Sequence, residues 1–146
     1  MKDIISITEE HVLECSGLYV DVFNGEPWND KWILETAYRR LHDFFMTPNF
    51  EGVLYMAGDK VKGAILGNYE HYDNMILYNL KEAFVSSELQ GKGIGREMLS
   101  ELELRVKAQG AARIILLTSK GNKTSEFYLK NGFGEFKDMV FMGKDI

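Results

Sequence analysis

Three glycines fall within five residues in Gln90-Gly91-Lys92-Gly93-Ile94-Gly95, between an apolar run and the helix-patterned REMLSELELRVKAQ. Glycine costs backbone entropy, so such a cluster answers a local demand. A glycine-rich turn from strand into helix points backbone N–H groups outward at the positive end of the helix dipole. That arrangement holds phosphate. Two common versions are excluded. There is no Gly-Lys-Ser/Thr, so the stretch is not a nucleotide P-loop. Its spacing is not G-x-G-x-x-G, and no acidic residue ends a second strand about twenty residues later, as a dinucleotide fold needs. On the glycines alone, a turn that merely packs a helix tightly on its sheet stays open as an alternative.

Charge is divided along the chain. Residues 1–80 hold 6 Lys/Arg against 13 Asp/Glu, a balance of −7, and residues 81–146 hold 11 against 9, a balance of +2. The net charge of −5 argues against a general nucleic-acid binder. The split reads either as surface variation or as a second half that handles an anion and a first half that handles a cation. Within the first half, GEPWNDKW places Trp28 and Trp32 one helical turn apart. They read as a core staple between two helices, or else Glu26, Trp28 and Asp30 form part of a substrate-binding wall, with a cation–π contact at Trp28. His11, His42 and His71 are scattered and lack metal-ligand spacing, so no metal is expected. Cys15 is the one cysteine, which rules out an intrachain disulfide and fits an intracellular protein. The N-terminal MKDIISITEEHVLE turns acidic at once, and no segment has the length to span a bilayer. A cytoplasmic protein without a membrane partner is expected.

The elements that must position these residues follow from periodicity. With 146 residues, 45% of them hydrophobic, the chain suffices for one core, and a single domain over 1–146 is expected. Ile4–Ile7 is β-prone, and Thr8 with Glu9 and Glu10 starts a helix to about Phe23. After NGEPWND, a second helix should begin just past Asn29 or Asp30 and end before Pro48. Gly52–Ala57 and Val61–Tyr69 are strands joined by Gly58-Asp59-Lys60, and Met75–Val85 is another. From Gly93 to Gln109, Ile94, Met98, Leu102, Arg105 and Val106 share a helical face. Ile114–Thr118 reads as a strand buried on both faces. Lys123–Lys130 reads as a helix closed by Asn131-Gly132. Phe133–Phe136 and Met139–Gly143 read as final strands. Helices intervene between the strands near 85 and 114, which predicts a parallel pair.

VSSELQGKGIGREML followed by IILLTSKGNKTSEFYLKNGF resembles the GNAT superfamily of acyl-CoA-dependent N-acetyltransferases. Gln90, Gly93 and Gly95 match its Gln/Arg-x-x-Gly-x-Gly/Ala signature. Asn122 and SEFYLKNGF match its later Asn and aromatic helix ending in Gly-Phe. The resemblance is specific over roughly residues 75–135. It implies an α/β fold with a mixed, mostly antiparallel sheet, a central splayed parallel pair and about four flanking helices. It also implies acetyl-CoA as cosubstrate, with the pyrophosphate against Gln90, Gly91, Lys92, Gly93, Ile94, Gly95 and Arg96. Phe84 and Val85 would serve the pantetheine arm, and Asn122 with Ser125 its amide.

Acetyl transfer to an amine needs a proton acceptor for the amine, a donor for the developing oxyanion and a proton for the departing thiolate. The resemblance places Tyr128 near the thioester sulfur, where a phenol of pKa about 10 could protonate a thiolate. The other reading of Tyr128 is a core aromatic beside Phe127 and Leu129. Glu82 stands where family members often carry the acid that accepts the amine proton. Alternation would put it on one face with Leu80 and Phe84. Lys81, where some polyamine-directed members place a second acid, weakens a polyamine reading. The implied function is acetyl transfer from acetyl-CoA to a primary amine by direct attack in a ternary complex. The charge split adds a cationic acceptor, either a small amine of aminoglycoside type or a protein amino group, met by some of Glu26, Asp30, Glu70, Asp73 and Glu82. A homodimer is compatible with this reading. The alternatives are an acyl-CoA-binding regulatory module without turnover and an interaction domain built on the aromatic first half.

Overall fold

Apolar runs along 50–57 and 60–71 meet across the two-residue turn Gly58-Asp59, where Gly58 takes φ +63. They are β2 (Phe50–Ala57) and β3 (Lys60–His71) of the computed structural model, which describes residues 2–146. Before them come β1 (Lys2–Ser6), α1 (Val12–Asn24) and α2 (Leu34–Phe45), and after them β4 (Ile76–Val85), α3 (Ile94–Ala108), β5 (Ala111–Ile115) and α4 (Lys123–Lys130). The sheet order is β1-β2-β3-β4-β5. The first three pairings are antiparallel, and β4 pairs with β5 in parallel across the connection that carries α3. Contacts divide the chain into one unit ending at Leu116 and a second, Leu117–Ile146.

The two sheet faces have different partners. Ala64, Leu66 and Phe84 join Val12, Cys15, Tyr19 and Val22 of α1 and Ala37 and Leu41 of α2 in one buried cluster. Each fully buried side chain of this kind, such as Leu41, contributes about 1.5–3 kcal/mol. The opposite face receives α3. A Cβ at Gly63 would lie 3.0 Å from Met98, and the buried stripe of α3 is Ile94, Met98, Leu99, Leu102 and Val106. The remaining predicted member of that stripe, Arg105, turns aside to Glu101 and Ser6 at 3.2 and 2.6 Å.

Register decides which face β4 shows. Leu66 stands opposite Glu82 but Gly67 opposite Leu80, so Lys81 is the extra residue of a bulge. The bulge breaks the expected alternation. Glu82 and Phe84 face α1 and α2 with Leu66 and Ala64, whereas Leu80 falls on the face of Ile65 and Gly67.

Three other expectations are corrected. The second helix starts at Leu34, not just past Asn29 or Asp30. Asn24 pins both backbone groups of Trp32 at 2.8 and 2.9 Å, and Asp30 takes the Trp32 indole N–H at 3.1 Å. Residues 29–33 are thereby held outside the helix, and Trp28 and Trp32 are not one turn apart. The strand expected at Ile114–Thr118 runs Ala111–Ile115 instead. It ends the strand order, and Ala112 and Arg113 are exposed, so the strand is not buried on both faces. The stretches 133–136 and 139–143 form no strand, and Phe136, Met139, Val140, Phe141 and Met142 are exposed. Apolar composition marks a β-prone run but does not supply the ladder that makes it a strand. The parallel pair β4–β5 stands at the end of the strand order among the described residues, where a central pair was expected.

Candidate functional site

The glycine loop enters α3 through a left-handed backbone. Gly91 and Gly93 have φ +79 and +83, and Gly93 is the N-cap residue. An added Cβ would meet nothing within 4 Å at either position, so backbone conformation rather than crowding demands glycine there. No side chain caps the first turn of α3, whose free N–H groups point out of the helix end. Ile94 is buried and anchors the turn, while Lys92 and Arg96 are exposed beside it. Gln90 donates from Nε2 to the Val85 carbonyl at 3.0 Å, tying the loop to the end of β4. Nearby, Lys62 and Glu88 pair at 2.5 Å, which lowers the pKa of the Glu88 carboxyl. A cavity of about 390 Å³ flanks α3 at Gly93 and Arg96, but Glu97 and Glu101 also line it and make it a poor phosphate seat.

Upstream of the loop, β4 and β5 part. Their ladder ends at Asn79 and Ile115, and residues 80–85 continue without a β5 partner. The Ser86 N–H donates to the Lys62 carbonyl at 2.8 Å, so Ser86 and, two residues back, Phe84 turn their backbone groups toward β3. Val85 and Ala83 turn theirs to the open side. This corrects the assignment of Phe84 to the cofactor arm. Its backbone serves the ladder, and its ring packs against Tyr19 and Phe23 at 5.3 and 6.0 Å. The backbone groups open on this side are those of Val85 and of Ala83, which the sequence did not single out.

On the α1–α2 face of β4, Glu82 is the centre of a polar cluster. Arg40 of α2 donates from Nε and Nη2 to Glu82 Oε1 at 3.2 and 2.8 Å. The Tyr19 hydroxyl lies in the same electrostatic neighbourhood as Glu82 and Arg40, and burial first, then the Glu82 charge, push its pKa up. Burial pushes the pKa of the Glu82 carboxyl above the ordinary carboxylate value, Arg40 and Tyr19 pull it back, and the charge of Asp30 raises it again. Rings surround the cluster: Tyr19 meets Trp32 edge-on at 5.1 Å, and Phe23 meets Trp28 at 5.0 Å. Trp28 is thus partly a staple, while its remaining surface, with Glu26 and Asp30, is exposed. The five acids expected around an acceptor do not all converge. Glu70 sits four positions along β3 from Leu66, the partner of Glu82, roughly 13 Å away by strand rise. It is bonded to Asn79 at 2.9 Å, and Asp73 lies farther still, in the β3–β4 turn.

The second unit carries its own motif. Asn122 caps α4, accepting from the Ser125 N–H through Oδ1 at 2.9 Å, while Ser125 Oγ bonds the Asn122 backbone at 2.9 and 3.2 Å. The cap uses Oδ1 and the Ser125 hydroxyl, leaving the Asn122 amide NH2 outside it. Tyr128 is buried between Phe127 and Phe133, with ring centroids at 5.2 and 5.3 Å. Gly132, at φ +91, closes the helix as the sequence predicts, with the Phe133 N–H reaching back to the Tyr128 carbonyl.

Cys15 is buried, and its thiol is pushed up to about 12 by desolvation and by Glu14. It is a core residue, and burial of this kind makes a thiol unreactive. His11 accepts from the Thr8 N–H at 3.0 Å as a cap, and His42 stacks on Tyr38. Among the described residues, no group of three or more His, Cys, Asp or Glu could hold a metal ion, and no helix is long and apolar enough to cross a membrane. Arg40 and Tyr19 were missed by sequence reasoning. They lie 42 and 63 positions from Glu82 on other elements, and no local spacing signals that meeting.

A family profile described as "Acetyltransferase (GNAT) domain" matches residues 48–135. No curated protein matches the sequence. Among solved structures, the chain is similar to one titled a possible acetyltransferase from Clostridium difficile 630, at 15% identity and TM-score 0.84, covering 100% of this chain and 99% of that one. It is similar to an aminoglycoside N-acetyltransferase in complex with CoA, at 18% identity and TM-score 0.76, covering 100% and 96%. It is also similar to a ribosomal-protein-alanine N-acetyltransferase from Brucella melitensis biovar Abortus 2308, at 9% identity and TM-score 0.77, covering 99% and 100%.

Proposed function

The chain belongs to the GNAT acetyltransferase family, and we propose that it acts as a single-domain enzyme moving the acetyl group of acetyl-CoA to a primary amine by direct attack in a ternary complex. One observation carries this reading: a left-handed glycine loop opens an uncapped helix beside a strand end that has lost its neighbour. The N–H groups after Gly93, with Lys92 and Arg96, suit a pyrophosphate. Backbone groups of Ala83 and Val85 suit an amide-bearing arm laid along the open side of β4, and the place of Asn122 in the matched region supports a hydrogen bond from its side chain to an amide of coenzyme A. Acetyl-CoA supplies an activated acyl group: the N–C bond forms, the C–S bond breaks and coenzyme A leaves as a thiol. Glu82 takes the amine proton. Tyr128 gives a proton to the leaving sulfur, a role supported by its place in SEFYLKNGF within the matched region. The lone buried Cys15 suits a reducing cytoplasm.

Tyr128→Phe is expected to keep coenzyme A affinity and lower kcat, because only the proton donor is lost. Wild-type kcat with chemistry limiting would remove Tyr128 from the mechanism, and a rise in KM alone would mark it as packing.

The acceptor in this reading is cationic. Asp30 and Glu82 share one electrostatic neighbourhood on the α1–α2 face, with Glu26 and Trp28 exposed on the same connection. Similar structures include an aminoglycoside N-acetyltransferase and a ribosomal-protein-alanine N-acetyltransferase. The test follows thiol release with 1,5-diaminopentane against 1-aminopentane, at low and high salt. The diamine should show a several-fold lower KM at low salt, an advantage that shrinks as salt screens exposed charge. Equal use of both at low salt would refute the cationic acceptor. Coenzyme A binding with no thiol release for any amine would favour the regulatory module.

A further inference from the structure

Glu82 is held by a side chain that the reaction so far leaves without a task. Arg40 reaches it from α2, and both guanidinium bonds land on one oxygen, Oε1. The guanidinium rests on an aromatic shelf, 4.8 Å from the Phe44 centroid and 5.9 Å from that of Trp32. The shelf is itself fixed. Asn24 grips the Trp32 backbone, Asp30 takes its indole N–H, and Tyr19 stands edge-on against its ring. A surface ion pair would not need such support. Here the Glu82 side chain is only 10% exposed while Arg40 is 42% exposed, so the carboxylate is the member of the pair that solvent does not stabilise.

We propose that Arg40 is a positioning residue for acetyl transfer: by engaging Oε1 twice from a fixed shelf, it keeps Glu82 ionised and aimed, leaving Oε2 without a guanidinium contact and facing the amine proton. This rests on the reading of Glu82 as the base. The groups facing Glu82 are few. Tyr19 comes from α1, Asp30 from the α1–α2 connection, Arg40 from α2, and β3 offers the uncharged Leu66. Arg40 is the cation among them. Without Arg40, only Tyr19 would favour the charged carboxylate against burial and the charge of Asp30. An ion pair that serves packing alone would change stability when broken and leave the proton affinity relevant to turnover untouched.

The test uses the full chain labelled with ¹³C at glutamate side chains, with Glu82→Gln identifying the Glu82 signal. Arg40→Met keeps the length and apolar stem on the shelf, and Arg40→Lys restores the charge without the fork. The Glu82 titration midpoint should rise by at least one pH unit in Arg40→Met and by less in Arg40→Lys. The acidic limb of kcat/KM, followed by thiol release with 1,5-diaminopentane, should move with it. A Glu82 midpoint unmoved in folded Arg40→Met overturns the proposal while the base reading stands. A midpoint that moves while the limb does not, together with a limb that survives Glu82→Gln, overturns the base reading, and with it any role of Arg40 in turnover.

Discussion

Replacing Glu82 by Gln is expected to lower kcat/KM by about a hundredfold or more at neutral pH, the usual weight of a positioned base. Coenzyme A affinity should not change, since Glu82 faces α1 and α2 while the glycine loop lies beyond the strand end. The acidic limb of the profile should vanish, because the group that must lose its proton is gone. Stability should respond in the opposite sense. The folded-state pKa of Glu82 is raised, chiefly by burial. A group raised in this way contributes stability that is complete below its unfolded value and is lost as pH rises through the folded one. At neutral pH the wild type therefore carries the burden of a buried carboxylate, which Gln removes. Gln still offers Arg40 an acceptor, and Arg40 has water on its exposed side. Thermal unfolding at neutral pH should show Tm unchanged or raised while kcat/KM falls. A fall in both would mark Glu82 as packing. An unchanged rate with the limb intact would remove it from the mechanism.

What the sequence revealed and what it concealed divide along a physical line. The glycine loop, the stripe of α3 and the capped α4 were legible because each is local: its residues lie within a turn or two of one another, and φ, dipole and cap chemistry act at that range. Lys123–Lys130 agrees at both ends because Asn122 caps one end and Asn131-Gly132 closes the other. The bulge at Lys81 is not local. It exists only as a mismatch of register between β3 and β4, yet it decides that Leu80 and Glu82 show opposite faces. The pairing of Arg40 with Glu82 depends on α2 lying over that face. From the sequence, Arg39 and Arg40 were an undistinguished doublet, but Arg39 pairs with the exposed Glu35 on its own helix and Arg40 crosses to the strand. Phe84 and Val85 could not be separated either. Which of two successive backbone groups faces an open strand edge follows from the ladder on the other side, fixed here by the Ser86–Lys62 bond. The late start of α2 has the same origin, since the side chain of Asn24 competes for the backbone that periodicity assigned to the helix.

The loop's purpose is best tested at Gly95, and Gly95→Asp is expected to weaken coenzyme A binding tenfold or more, about 1.4 kcal/mol. The choice of position matters. Gly93 takes φ +83, so any L side chain there strains the backbone, and a lost affinity could be blamed on a distorted loop. Gly95 is the second residue of α3 and does not have a positive φ. Aspartate at that position interacts favourably with the helix dipole by about 0.3–1 kcal/mol, and it replaces the poorest helix former after proline. The fold should therefore be as stable as the wild type or more so, which thermal unfolding can establish independently. What aspartate adds is a negative charge and bulk at the outward N–H groups where a pyrophosphate would lie. Gly95→Ala, with bulk alone, separates the two contributions. If charge dominates, Ala should cost less affinity than Asp, and the Asp deficit should shrink at high salt because the site is exposed. Calorimetry with pantetheine in place of coenzyme A adds a second control: pantetheine lacks both the nucleotide and the pyrophosphate, so its weaker binding should be indifferent to Gly95→Asp. Unchanged coenzyme A affinity in a folded Gly95→Asp protein would return QGKGIG to a turn that merely seats α3 on the sheet.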